Sequence, residues 1–81
     1  MAEITVASPF PGTFYRRPNP ESDPYVSEGD TVAAGDVIGL IEIMKNFYEV
    51  QSDAAGRVAR FLVENEALID AGQEIVALES G

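Results

Sequence analysis

Lys45 is the only lysine in a chain of 81 residues that contains neither histidine nor cysteine. The absence of histidine removes the commonest general base and the commonest metal ligand. The absence of cysteine removes thiolate sites and disulfides. Acidic residues such as Asp23, Glu28 and Asp30 are too scattered to indicate a metal site. The side chains therefore predict little chemistry of their own, and we assign no catalytic residue and no metal ligand.

Length and charge limit the class of protein. The length predicts one small domain, spanning residues 1–81. A net charge of −9 with five basic residues argues against a nucleic-acid partner, which would require clustered lysine and arginine. No apolar run approaches the length of a membrane span, and the N-terminus lacks the features of a signal peptide. We therefore expect a cytoplasmic protein with no membrane or nucleic-acid partner.

Short apolar segments separated by glycine and proline indicate an all-β fold. The strand-like segments are residues 3–7, 37–43, 47–51, 57–63 and 75–79. Only residues 61–68 offer a weak helical alternative. Many short strands of this kind are typical of a sandwich or barrel.

The chain also contains an internal repeat. Residues 26–42 resemble residues 63–79 at an offset of 37, and residues 8–14 resemble residues 52–58 at an offset of 44. The matched pairs include Val26 with Val63, Val32 with Ile69, Ala34-Gly35 with Ala71-Gly72, Ile38 with Ile75, and Glu42 with Glu79. Two halves of about 40 residues are each too small to bury a core alone. We therefore predict two small sheets that pack together around a pseudo-twofold axis.

The difference between the two offsets places an insertion of about seven residues in the first half, within residues 16–25. This segment holds Pro18, Pro20 and Pro24, which exclude a regular strand or helix and stiffen the chain. It is interpreted either as a protruding element that contacts a ligand or partner, or as a tolerated surface insertion.

Lys45 lies between two predicted strands, so Met44 and Lys45 should form the tip of a β-hairpin or lie beside it. Met-Lys is unfavourable turn chemistry, and Asn46 could help by adopting a left-handed conformation. A turn kept against its propensity indicates that these residues serve another purpose. Phe47 and Tyr48 follow, and strand alternation predicts that one is core and the other is outward.

In these features the chain resembles the biotinyl domains, and especially the biotin carboxyl carrier family of acetyl-CoA carboxylases. The resemblance covers nearly the whole chain. It rests on the Met44-Lys45 pair, on Ser8-Pro9-x-x-Gly12-Thr13-Phe14-Tyr15-Arg16, on Pro18-Asn19-Pro20-Glu21, on Glu28-Gly29-Asp30-Thr31-Val32, on Gly35-Asp36 and on Gly56. The resemblance implies a flattened barrel, or barrel-sandwich hybrid, of two four-stranded antiparallel sheets, with residues 16–25 as a protruding thumb. The family's usual Ala-Met-Lys-Met is replaced here by Ile43-Met44-Lys45-Asn46.

The resemblance also implies a function without catalysis by the domain itself. Lys45 would carry covalent biotin, attached by a biotin protein ligase that recognises Met44. Biotin would shuttle carboxyl groups from a biotin carboxylase to a carboxyltransferase, as in acetyl-CoA carboxylase and fatty acid biosynthesis. Glu42 and Asn46 flank the lysine, and both are candidates for recognition or cofactor contact. Within the thumb-like loop, the candidate contacts for the biotin ring are Arg17, Asn19 and Ser22.

Two alternatives share the fold. A lipoyl-type acyl carrier would also use Lys45, although lipoyl domains typically have an acidic residue before the lysine and alanine after it. Met44 and the insertion favour biotin. The other alternative is an unmodified β-barrel that serves as an interaction module, since fold alone does not decide function.

Overall fold

The computed structural model describes residues 2–80, which contain eight β-strands and no helix. The strands are β1 (Ala2–Ala7), β2 (Gly12–Tyr15), β3 (Thr31–Val32), β4 (Val37–Ile43), β5 (Asn46–Gln51), β6 (Gly56–Phe61), β7 (Leu68–Ile69) and β8 (Glu74–Ser80). This range includes no helix of the length and apolarity that crossing a membrane requires.

The strands form two antiparallel sheets of four. One sheet has the order β5-β4-β2-β7, and we call it the hairpin sheet because it contains the β4–β5 turn. The other has the order β1-β8-β6-β3, and we call it the terminal sheet because it contains the first and last strands. All pairings are antiparallel. The predicted architecture of a flattened barrel built from two four-stranded sheets is confirmed.

The core lies between the two sheets and is aliphatic apart from one phenyl ring. The largest fully buried side chains include Phe14, Ile38 and Ile41 from the first half and Ile75 and Leu78 from the second. Burying such side chains is the main stabilising contribution in a domain of this size, at about 1.5–3 kcal/mol each. Because both sheets contribute, neither half has a complete core without the other.

The pseudo-twofold relation predicted from the repeat is present in the strand order and in the turns. Reading both sheets from the edge, β5, β4, β2 and β7 correspond to β1, β8, β6 and β3. The Ser8 and Ser52 hydroxyls are buried, and each donates to a backbone carbonyl two residues ahead at 2.5 Å. Gly35 N donates to Ser52 O, and Gly72 N donates to Ser8 O, both at 2.7 Å. The two halves therefore make equivalent hydrogen bonds at equivalent turns.

The predicted strand segments correspond to β1, β4, β5, β6 and β8, with shifts of one or two residues at their ends. Apolar alternation did not indicate β2, β3 and β7, because these strands are only four, two and two residues long. The weak helical alternative at residues 61–68 is wrong. Strand β6 ends at Phe61, and a left-handed residue at Glu66 (φ 68°) turns the chain into β7.

Residues 16–25 form a loop between β2 and β3 without a strand. Tyr25 N donates to Arg16 O at 2.9 Å, which closes the base of the loop. Inside the loop, Asn19 Oδ1 accepts from Glu21 N at 3.0 Å and from Ser22 Oγ at 3.1 Å. The loop is thus a structured extension beside the hairpin sheet.

Candidate functional site

The β4–β5 hairpin ends in a two-residue turn. Strand pairing extends to Ile43 and Asn46, which leaves Met44 and Lys45 as the two turn residues. Both have positive φ, at 50° and 68°, as a type I′ turn requires. Without glycine, this conformation is unfavourable by roughly 1–2 kcal/mol per residue. The expectation that Asn46 takes the left-handed conformation is wrong, because Asn46 is the first residue of β5.

The turn presents its two side chains to solvent. The Met44 side chain is 90% exposed, and Lys45 is also exposed. An exposed methionine is unusual, since methionine normally fills cores. The Lys45 amino group makes no hydrogen bond or ion pair within residues 2–80. The hairpin therefore holds one free amine at the end of a rigid two-stranded projection.

Glu42 lies close to the turn, and its carboxylate accepts a hydrogen bond within the domain. The Tyr15 hydroxyl donates to Glu42 Oε1 at 2.9 Å. This hydrogen bond raises the pKa of Tyr15 above its ordinary value, because losing the phenolic proton would place two negative charges together. Glu42 therefore links strands β4 and β2 behind the hairpin, and Asn46 lies exposed at the start of β5.

The prediction that one of Phe47 and Tyr48 is a core residue is wrong. Phe47 is 57% exposed and Tyr48 is 41% exposed. The two alternate across β5, but β5 is an edge strand, so even the inward position reaches solvent. Tyr48 instead packs against Phe10, with ring centroids 5.2 Å apart, and Phe47 lies near Tyr15 at 6.1 Å.

A groove of about 650 Å³ lies between the loop and the hairpin sheet. Its lining combines aromatic rings, prolines and polar side chains: Tyr15, Arg17, Pro18, Asn19, Pro20, Phe47, Asn65 and Glu66. The structure therefore brings Arg17 and Asn19 together with Phe47, which follows Lys45 by two positions. Ser22 is outside the lining, and its hydroxyl is bonded to Asn19.

The polar groups of the groove are partly unpaired. Arg17 Nε is buried without a hydrogen-bond partner, and Arg17 Nη1 is 3.5 Å from Ser22 O. Asn65 Oδ1 accepts from Arg16 N at 2.8 Å, which fixes the side of the groove opposite the loop. Arg17 therefore lines the groove beside two aromatic rings, with one enclosed guanidinium N–H left unpaired.

Residues 4–78 match the protein family described as "Biotin-requiring enzyme". The match covers both sheets, the hairpin turn and the loop. The chain belongs to this biotin-requiring family.

Curated members of the biotin-requiring family are similar over most of the chain. The biotin carboxyl carrier protein of acetyl-CoA carboxylase from Nostoc sp. is 36% identical over 74 residues, covering 91% of this chain and 41% of that protein. The protein of the same name from Haemophilus influenzae is 34% identical, with coverage of 91% and 48%. The chain thus spans less than half the length of these two relatives.

A solved structure gives the same picture of the fold. The crystal structure of Kluyveromyces lactis urea carboxylase superposes with a TM-score of 0.79 at 26% identity. The match covers 98% of this chain and 6% of the carboxylase chain. A domain of this shape therefore occurs within a much larger carboxylase chain.

Four groove residues were not among the candidates from sequence: Tyr15, Phe47, Asn65 and Glu66. For Tyr15 and Phe47, the side of the sheet follows from the strand register, in which Glu42 pairs with both Thr13 and Phe47. This register is not visible in one sequence. Glu66 did carry a signal. At the repeat offset of 37 it aligns with Gly29, so a glutamate stands where the other half has glycine.

Proposed function

We propose that this chain is a biotin carboxyl carrier domain, spanning residues 1–81, and that biotin is attached to Lys45 Nζ. The observation that carries the proposal is the position of Lys45, free and exposed at the tip of a two-residue turn in a biotin-family fold. A biotin protein ligase would form an amide between the biotin carboxyl group and Nζ. No other lysine competes on this domain.

The groove fits the head of the cofactor. A ureido group has a carbonyl oxygen that accepts hydrogen bonds and N–H groups that donate them. The Arg17 guanidinium lines the groove as a charged hydrogen-bond donor, and Tyr15 and Phe47 offer aromatic surface beside it. We therefore propose residues 16–25 as a thumb that contacts the biotin ring through Arg17 and Asn19. Ser22 lies outside the groove lining and orients Asn19, because its hydroxyl donates to Asn19 Oδ1.

The carrier role assigns transport to this domain and catalysis to its partners. When bound, biotin supplies the carboxyl-carrying chemistry, and the protein supplies position. The partners would be a biotin carboxylase that loads the carboxyl group and a carboxyltransferase that receives it, as in an acetyl-CoA carboxylase in the cytoplasm. The names of the relatives favour biotin over lipoate. Tethering makes delivery depend on effective concentration.

Charge and turn residues support recognition by these partners. Acylation of Lys45 removes one positive charge, so four basic and fourteen acidic residues leave −10 instead of −9. Basic surfaces on the partners would complement this domain. Met44, which is 90% exposed beside the lysine, would be read by the ligase together with Glu42 and Asn46.

The test is intact mass after co-expression with a biotin ligase and excess biotin. The wild-type chain should gain one biotinyl group, and Lys45→Arg should gain none while keeping the positive charge and the same melting temperature. A lipoyl increment would indicate the other cofactor. An unmodified wild-type chain under these conditions would contradict the proposal.

A further inference from the structure

Glu66 adopts a backbone conformation that the other half of the molecule assigns to glycine. Its φ is 68°, and its pseudo-twofold equivalent, Gly29, has φ 94°. Both make the same backbone hydrogen bond: Glu66 N donates to Phe14 O at 2.6 Å, and Gly29 N donates to Val58 O at 2.8 Å. Glycine adopts this region readily, whereas a side chain is strained there. The fold therefore needs the turn but does not need a glutamate.

The Glu66 side chain lines the groove and is not used within the domain. The ion pairs of residues 2–80 are Arg57–Glu79 and Arg60–Glu3, so Glu66 and Arg17 share the groove without forming an ion pair. The only hydrogen bond of Glu66 in this range is made by its backbone N–H. The Glu66 charge contributes to the raised pKa of Tyr15, as expected for a carboxylate facing the same space. A carboxylate and a guanidinium, neither in an ion pair within residues 2–80, thus line one groove.

We propose that Glu66 is a cofactor-positioning residue that accepts a hydrogen bond from a ureido N–H of the tethered biotin. The Arg17 guanidinium donates to the ureido oxygen from the loop side. This inference rests on the proposed attachment of biotin to Lys45. It explains why a strained residue stands where glycine would suffice, since strained backbone is retained where a side chain has a function. A charged acceptor also makes a stronger hydrogen bond than a neutral one.

The test compares thermal stability and NMR spectra of the unmodified and biotinylated full chain. Intact mass first confirms that each variant is biotinylated. In wild type, biotinylation should raise the Tm and shift the ring protons of Tyr15 and Phe47. Glu66→Gly should raise the Tm of the unmodified chain by roughly 4–8 °C, because the strain is removed. The same variant should lose at least half of the Tm rise and of the ring-proton shifts that biotinylation causes.

Three control variants separate the effect of the Glu66 charge from the effect of the backbone conformation. Glu66→Gln keeps the backbone strain and should also reduce the biotin-dependent changes. Glu64→Gln removes an exposed carboxylate from the same loop, outside the groove, and should leave these changes as in wild type. Gly29→Glu should lower the Tm without affecting the biotin-dependent shifts.

Each outcome bears on a different claim. If biotinylated Glu66→Gly keeps the wild-type shifts, the role of Glu66 is wrong and the carrier function stands. If biotinylated wild type shows no ring-proton shifts, both the groove contact and the role of Glu66 are wrong. If mass shows no modification of Lys45 in wild type, the proposed function itself fails.

Discussion

Equivalent rows of residues cross the outer faces of the two sheets, and they differ in chemistry. On the terminal sheet the row is Thr31, Arg57, Glu79 and Glu3, each paired with the next across neighbouring strands. Its charges are satisfied by the ion pairs Arg57–Glu79 and Arg60–Glu3. On the hairpin sheet the corresponding row is Leu68, Thr13, Glu42 and Phe47. Here Leu68 is 83% exposed and Phe47 is 57% exposed.

The pseudo-twofold relation makes this contrast informative. Both rows occupy the same place in the fold, so folding does not require the apolar side chains of the hairpin sheet. Exposed leucine and phenylalanine are unfavourable in water and gain nothing from the core. Folding alone therefore does not account for the exposed apolar side chains of the hairpin sheet, one of which, Phe47, follows Lys45 by two positions.

The largest expected effect is on the shared core. Ile41 and Leu78 are pseudo-twofold equivalents and are fully buried. Ile41→Ala and Leu78→Ala should each lower the free energy of unfolding by about 2–5 kcal/mol, because each leaves a cavity between the sheets. Urea unfolding of both variants measures this. A nearly neutral effect of either substitution would contradict the equivalence of the two halves, since they would then contribute unequally to folding.

A smaller effect is expected at the hairpin turn, where the halves differ most. At the equivalent end of the terminal sheet, the last described pair is Ala2 with Ser80. Met44→Gly should raise the free energy of unfolding by about 1 kcal/mol, because glycine adopts positive φ without strain. We expect the same variant to be biotinylated more slowly, as followed by mass over time.

Lys45→Arg is the matched control for that stability measurement, since it keeps a side chain in the left-handed position. A Met44→Gly chain that is biotinylated at the wild-type rate would show that the ligase does not read Met44. A loss of stability would show that the turn is not strained.

The repeat made much of the fold predictable from sequence. Buried positions such as Ile38 and Ile75 recur at one offset with the glycine turns, so the two-sheet arrangement followed from apolar periodicity and symmetry. The two-residue strands β3 and β7 carry too little periodicity to be recognised. The sequence also did not indicate that β5 is an edge strand. For that reason the prediction of a core residue at Phe47 or Tyr48 was wrong.

Local sequence pattern alone placed the candidate site only at the hairpin. Lys45 and Met44 are consecutive in sequence, so a turn prediction was enough to place them together. The groove depends on contacts between residues 15–20 and residues 65–66, which are far apart in the chain. Such contacts follow from packing and not from local pattern. Arg17 and Asn19 were found through the family resemblance, whereas Asn65 and Glu66 required the structure.

The carrier function is tested by following the transfer of labelled carboxyl groups. Biotinylated chain is incubated with ATP, radiolabelled bicarbonate and a purified biotin carboxylase from the same organism, and then with the carboxyltransferase and acyl-CoA. Wild type should take up label and pass it to the acyl-CoA, and Lys45→Arg should take up none. Biotinylated wild type that takes up no label, or equal labelling of Lys45→Arg, would contradict the carrier function.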